Sequence, residues 1–394
     1  MRKERILEIE RLRGLAFLAV VLQHSIAHYS VASGMTMNDG ILMAVLLMAS
    51  KFAVPVFIFI TGMVLFYNDS DRFQYGIFIK KRISDIYIPF AIWTIIHVVI
   101  NHSIQFGSLE GWTDLGRMLI TGKASTHLWY IIMLFQFYLL YPVYRSLIQG
   151  IVKRLKPRMN ILLLVAVGIL FIVMTANISD IGRWMGNLQI PVWSDLFTTY
   201  ADRNALYFSF YFILGAAAGM NPQVWTTWIS RARPLYWTLF CFMFGFLLLK
   251  GIQEIRLAEG ERITFYSLSL LSPWMAVFLI SSIFAMYDVA RWICLKGGRR
   301  LNVLLSSIGL YSFGAYLMHL LTLRISYVVD ESMLIGAPSW IRITSSWVIS
   351  VLLAYLGARL FSLLPFGKWL TGVPGGRSLK QATTKRESNT TAQM

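Results

Sequence analysis

Ten long apolar stretches divide the chain, at residues 12–31, 41–67, 86–104, 127–148, 160–177, 204–220, 234–250, 267–287, 306–328 and 340–363. Each comes close to the ~20 apolar residues that an α-helix needs to cross the hydrocarbon core of a bilayer. The pattern predicts an all-α, polytopic integral membrane protein with about ten transmembrane helices. The stretch at 204–220 is short and carries Gly215 and Gly219, so a tilted or re-entrant segment is expected there. Within 41–67, Pro55 and Gly62 predict a bend or a close backbone approach. No internal repeat stands out, and no matched pair of Gly/Pro-broken segments of the kind found in transporters.

Composition agrees with this reading. Of 394 residues, 57% are hydrophobic and 14% charged, against roughly a quarter charged in soluble domains. The net charge of +17 would suit nucleic acid, but in a membrane protein the placement of Lys and Arg decides the meaning. They fall in alternate loops, 25 on one side of the ten-helix scheme and 8 on the other. The positive-inside rule then places both termini in the cytoplasm, with the bilayer as partner and no nucleic acid. The first apolar stretch runs long behind Glu10, Arg11 and Arg13 and lacks a small-residue cleavage pattern, so it is expected to be a retained helix. Residues 1–365 form the expected membrane domain, and the polar, Gly/Pro/Ser/Thr-rich segment 366–394 an expected disordered cytoplasmic tail. Cys241 and Cys294 predict neither a disulfide nor a metal site.

Ionisable groups are costly inside a bilayer, so they mark function. The first helix, EIERLRGLAFLAVVLQHSIAHYS, holds Glu10, Arg13, His24 and His28. At 100° per residue the step from Arg13 to His24 completes three turns plus about 20°, which puts both on one face, roughly 16 Å apart. Glu10 and His28 extend that stripe, which resembles one wall of a polar passage. His24 alone would serve equally as interhelical packing glue, but two histidines in line with an Arg and a Glu favour chemistry. Imidazole is suited to general-base work near neutral pH.

Lys80, Lys81 and Arg82 precede the third span, where they either hold phosphate groups or only set topology. Lys51 lies near the outer interface, in reach to snorkel. On the outer side His127, Trp129 and Tyr130 form either a site or an interfacial belt. Ser312, Tyr316 and His319 share a helix face by their i, i+4, i+7 spacing. Asp180, Asp195, Asp202, Glu254, Glu259 and Glu261, with Trp184 and Trp193, offer an outer surface for a sugar or an ordinary solvated loop.

Taken in order, E-R-L-R-G-L-A-F-L-A-V-V-L-Q-H, P-V-F-I-F-I-T-G-M, K-R-I-S-D-I-Y-I-P, H-L-W-Y-I and S-F-G-A-Y-L-M-H resemble the integral membrane acyltransferase 3 family over about residues 8–365. The resemblance implies a ten-helix fold in the bacterial cytoplasmic membrane. It implies transfer of an acetyl or succinyl group from cytoplasmic acyl-CoA, a donor substrate rather than a tightly bound cofactor, to a hydroxyl of an extracytoplasmic glycan. It makes Arg13 and His24 the catalytic pair and gives Arg82, with Lys81 and Arg13, the donor's phosphates. Glu10, His28, His127, Trp129, Tyr130 and His319 remain substrate-side candidates. Arg82 matches the first arginine of an R-x-x-R motif whose second position is here Asp85, a departure that bears on donor contacts. This departure and the W-Y-x-x-x-x-L-x-Q-F stretch are similar to the branch that works with poly-N-acetylglucosamine, which suggests a polysaccharide-synthesis machinery as partner. A C-terminal esterase-like domain of the kind carried by peptidoglycan-modifying relatives is not expected, so the final transfer is expected in or beside the membrane domain. Two other classes stay open: an exporter that breaks no bond, and a purely structural subunit of a synthase.

Overall fold

The computed structural model describes residues 5–373 apart from 33, 256–262 and 264. Glu259, Glu261 and residues 374–394 of the expected tail therefore lie outside the described residues. Everything regular among the described residues is helical. The apolar runs become α1 (Leu7–Tyr29), α2 (Met37–Ser50), α3 (Ala53–Tyr67), α4 (Tyr75–Arg82) and α5 (Ile88–Ile100), the last two joined by a π-turn at Ile83–Tyr87. After the amphipathic α6 (Leu109–Thr121) come the long α7 (Trp129–Arg154) and α8 (Pro157–Ala176). Short helices α9 (Ile178–Asn187) and α10 (Trp193–Phe197) lead to α11 (Ser209–Met220), α12 (Pro222–Arg231) and α13 (Arg233–Gln253). The chain closes with α14 (Pro273–Lys296), α15 (Arg299–Met333), α16 (Ser339–Phe361) and α17 (Gly367–Thr371).

Local chemistry sets the boundaries. Thr36 and Asp39 cap α2 reciprocally, and Ser272 caps α14 ahead of Pro273. The expected bend in 41–67 falls at Lys51–Phe52, where Pro55 cannot donate back to the Lys51 carbonyl. Gly62 does not bend α3; it lets that helix press against α11, where a Cβ would stand 2.2 Å from the Phe212 carbonyl oxygen.

Eight helices among the described residues are long and apolar enough to cross a membrane, and Ala205–Met220 is a shorter apolar helix. The chain is thus a polytopic α-helical membrane protein. The other expected span, α1, is 23 residues long, but its Arg, Gln and two His lower its hydropathy. It lies inside the bundle, packed against α2, α3, α14, α15 and α16. The polar stripe that weakens the membrane signal is the part that other helices cover. Its closest neighbour is α15. A Cβ on Gly309 would sit 1.9 Å from the Glu10 carbonyl oxygen, and one on Gly14 2.7 Å from that of Leu305. Only glycines allow this backbone-to-backbone crossing.

The ends of the helices gather by charge. On one face Arg11 donates to Asn302, Trp93 donates to the Leu370 carbonyl, and Lys80, Lys81 and Arg82 stand nearby in sequence. On the opposite face Ser339 donates to Asp39, and Arg342 forks onto Asp330 at 2.6 and 3.0 Å. Residues 367–373, expected to begin the disordered tail, are instead folded. α17 docks with Gly367 and Thr371 buried, and Lys368 pairs with Asp85 at 2.8 Å. The departure from the R-x-x-R pattern thus has a local partner: the aspartate fastens α17 to the π-turn.

Candidate functional site

Four imidazoles from four separate segments converge inside the bundle. His24 comes from α1, His97 from α5, His127 from the turn before α7, and His319 from α15. Ring centres lie 5.1 Å apart for His24–His319, 4.7 Å for His127–His319, 5.2 Å for His97–His127 and 6.3 Å for His24–His127. The turn that carries His127 inward needs Gly122, whose φ is +70° and whose Cβ would meet the Leu128 carbonyl oxygen at 2.9 Å. Tyr316, one turn before His319, donates its hydroxyl to the His127 carbonyl and locks that turn to α15.

The rings are oriented by main-chain oxygens. His97 Nε2 and His127 Nε2 both contact the Leu317 carbonyl, at 3.2 and 3.4 Å, and His319 Nδ1 contacts the Tyr316 carbonyl at 2.5 Å. Buried and without partners are His127 Nδ1 and His319 Nε2. Among the described residues no group of three or more His, Cys, Asp or Glu is placed to hold a metal ion.

Toward the basic face Tyr316 packs against Tyr130, with ring centres 5.8 Å apart, and Tyr130 lies within electrostatic reach of Arg13. Arg13 lies within electrostatic reach of Tyr130, Tyr138 and Glu10. His24 and Arg13 are both enclosed by protein and yet keep part of their surface accessible. Several other arginines of the bundle are paired: Arg145 by Asp69 at 2.8 Å, Arg233 by Asp288, Arg342 by Asp330 and Arg11 by Asn302. Arg13 has no hydrogen bond or ion pair among the described residues, and Glu10 acts on it only at a distance. A buried cation in that state is costly unless an anion visits. Arg82 stacks over Phe78 and Tyr138, 5.0 and 5.1 Å from their ring centres, with Nε buried and unpartnered. Lys81 beside it is exposed.

At the other end, a cavity of about 320 Å³ is lined by His97, Asn101, Lys123, Arg324 and Tyr327 among others. A neighbouring one of about 350 Å³ includes Trp129, Lys123, Asp202 and Arg203. Trp129 packs on Tyr130 and Phe208 and borders this outer cavity rather than the imidazoles.

Not every expected residue joins. Glu10 is buried and taken up in fastening α1: it pairs with Arg5, lies 3.7 Å from Arg11 and accepts from Ser306 at 2.5 Å. His28 stacks on Tyr327 at 3.6 Å, one turn beyond the cluster. Lys51, expected to snorkel, is enclosed near the break between α2 and α3. Asp180 and Asp202 pair with Arg183 and Arg203, while Trp184 and Trp193 stay exposed. His97 was missed by sequence reasoning, although an ionisable residue within IPFAIWTIIHVVI carried the same signal as His24.

Comparison with known protein families matches residues 6–359 to the acyltransferase 3 family, described as an acyltransferase domain. No curated protein and no solved structure matches the chain.

Proposed function

The chain belongs to the acyltransferase 3 family and is a membrane acyltransferase, and from that premise we propose that it moves an acetyl or succinyl group from cytoplasmic acyl-CoA to a hydroxyl of an extracytoplasmic glycan. What supports this reading is an arginine without a hydrogen bond or ion pair among the described residues toward the basic face, and a cluster of four imidazoles toward the other. An anionic donor needs the first and a hydroxyl acceptor the second. Arg13, Arg82 and Lys81 take the phosphates of the donor, Arg offering a charge-assisted fork. The acyl-bearing arm rises past Tyr130 and Tyr316 to His24. His24 removes the hydroxyl proton as the oxygen attacks the thioester carbonyl. The C–S bond breaks, and the thiolate of CoA leaves toward the cytoplasm. His127, His319 and Tyr130 border the acceptor, which enters from the outer cavities past Trp129. The protein resides in the bacterial cytoplasmic membrane, beside the machinery that makes the polysaccharide. The similarity of K-R-I-S-D to the poly-N-acetylglucosamine branch favours that polymer as acceptor.

Purified protein given acetyl-CoA or succinyl-CoA labelled in the acyl group, with oligomers of N-acetylglucosamine, should place label on the sugar. Glycan movement without thioester consumption would instead support an exporter. Removing one charge-assisted contact is expected to weaken donor binding by about 2 kcal/mol. Arg82→Ala should therefore raise KM for acyl-CoA roughly 10- to 100-fold with little change in kcat, as steady-state kinetics at saturating acceptor would show.

A further inference from the structure

Protein catalysts that use histidine as a base usually orient it with a carboxylate, and among the described residues no carboxylate acts on His24, His127 or His319. The ionisable groups facing His24, His127 and His319 among the described residues are one another, His97 and Tyr316. The nearest acids of α15, Asp330 and Glu331, act on His28 instead.

The carbonyl contacts settle the tautomers. A carbonyl oxygen only accepts, so the nitrogen facing it must carry the proton. His319 is therefore protonated on Nδ1, against the Tyr316 carbonyl, and bare on Nε2. His127 is protonated on Nε2, against the Leu317 carbonyl, and bare on Nδ1. Both bare nitrogens are buried and unpartnered. A proton relay from His24 through these rings is excluded by the same contacts, because each N–H ends on a carbonyl that has nothing to pass on. What remains is a pair of fixed acceptors beside a base. His319 is the nearer of the two, its ring centre 5.1 Å from that of His24 against 6.3 Å for His127, with no hydrogen bond joining the His24 and His319 rings in this structure.

We propose that His319 is the positioning residue of His24, doing with a neutral imidazole what a carboxylate does in other hydrolases and transferases. Its Nε2 lone pair, without a hydrogen-bond partner in this structure, takes the N–H of His24 when the acceptor is bound, which turns the other His24 nitrogen, bare, toward the acceptor hydroxyl. When His24 takes the hydroxyl proton, the same lone pair stabilises the imidazolium until the proton leaves with the departing thiol or to water. The main-chain carbonyl of Tyr316 keeps His319 from presenting a proton of its own. This deepens the acyltransfer reading and rests on it.

The test uses full-length protein in lipid nanodiscs, with labelled acetyl-CoA and succinyl-CoA as donors and N-acetylglucosamine oligomers as acceptor. His319→Leu, which removes the acceptor atom, should lower kcat about 10- to 100-fold, as losses of orienting partners do, with both KM values within about threefold of wild type. The acid limb of its kcat–pH profile should move to lower pH, since protonated His24 loses its support. His319→Asp should move that limb to higher pH, and His319→Gln, which keeps an acceptor oxygen, should recover most of the activity. A folded His319→Leu protein with wild-type kcat would overturn the proposal, as would Leu and Asp variants whose acid limbs move together. If the wild-type protein transfers no acyl group at all, the functional reading itself fails, which is a separable outcome.

Discussion

Replacing His24 with alanine should lower kcat for acyl transfer by about 10²–10⁴-fold, the range that a positioned general base supplies. The effect should fall on kcat rather than on donor KM, because the donor phosphates are assigned to Arg82 and Lys81 of α4 and to Arg13, the last roughly 16 Å down α1 from the imidazole. Folding should survive the change. His24 donates no hydrogen bond among the described residues; only its main-chain carbonyl is engaged, by the Tyr327 hydroxyl at 3.3 Å. Single-turnover transfer of labelled acyl groups would measure the drop, and thermal unfolding in detergent would confirm an intact bundle. A variant transferring at the wild-type rate would remove His24 from the chemistry and favour a structural or exporting role.

The largest effect on the fold is expected at the crossing of α1 and α15. Gly309→Leu places carbon 1.9 Å from the main-chain oxygen of Glu10, a distance no side-chain rotation relieves. Overpacking of a tight contact costs about 1–3 kcal/mol and more where backbone must move. Here the displaced backbone belongs to α1, so Arg13 and His24 shift with it. Low yield, a lowered unfolding temperature and lost transfer should appear together. Gly150→Ala is the matching control. Gly150 lies in α7 with nothing near its missing Cβ, and alanine there should stabilise the helix by up to about 1 kcal/mol. Equal behaviour of the two variants would contradict the crossing.

Which parts of this were legible in the chain follows from the range of the forces involved. Apolar runs report on the solvent, so the helices at 127–148 and 306–328 announced themselves, and their observed counterparts α7 and α15 only extend further. Periodicity reports on a helix face, so Arg13 and His24 could be placed on one side of α1. What lies opposite that face is set by tertiary packing. Glu10 and His28 share the stripe by angle, yet Ser306 and Arg5 claim the first and Tyr327 the second. His97 joins His24 only because α5 and the turn at Gly122 meet α15 at the Leu317 carbonyl, a contact spanning more than two hundred residues. The start of the tail reads as part of a polar, Gly/Pro/Ser/Thr-rich segment that has no apolar periodicity. Its short helix is held by Lys368 on Asp85 and by Trp93 on the Leu370 carbonyl, partners that no local pattern reveals.

The central claim is that one slot lets a thioester on one side of the membrane react with a hydroxyl on the other. Proteoliposomes of uniform orientation, with acyl-labelled CoA on the face of Lys81 and Arg82 and N-acetylglucosamine oligomers only on the opposite face, test it most directly. Label is expected on the oligomers and free CoA on the donor side, with both lost in His24→Ala. Label appearing only when donor and acceptor share a compartment would contradict it.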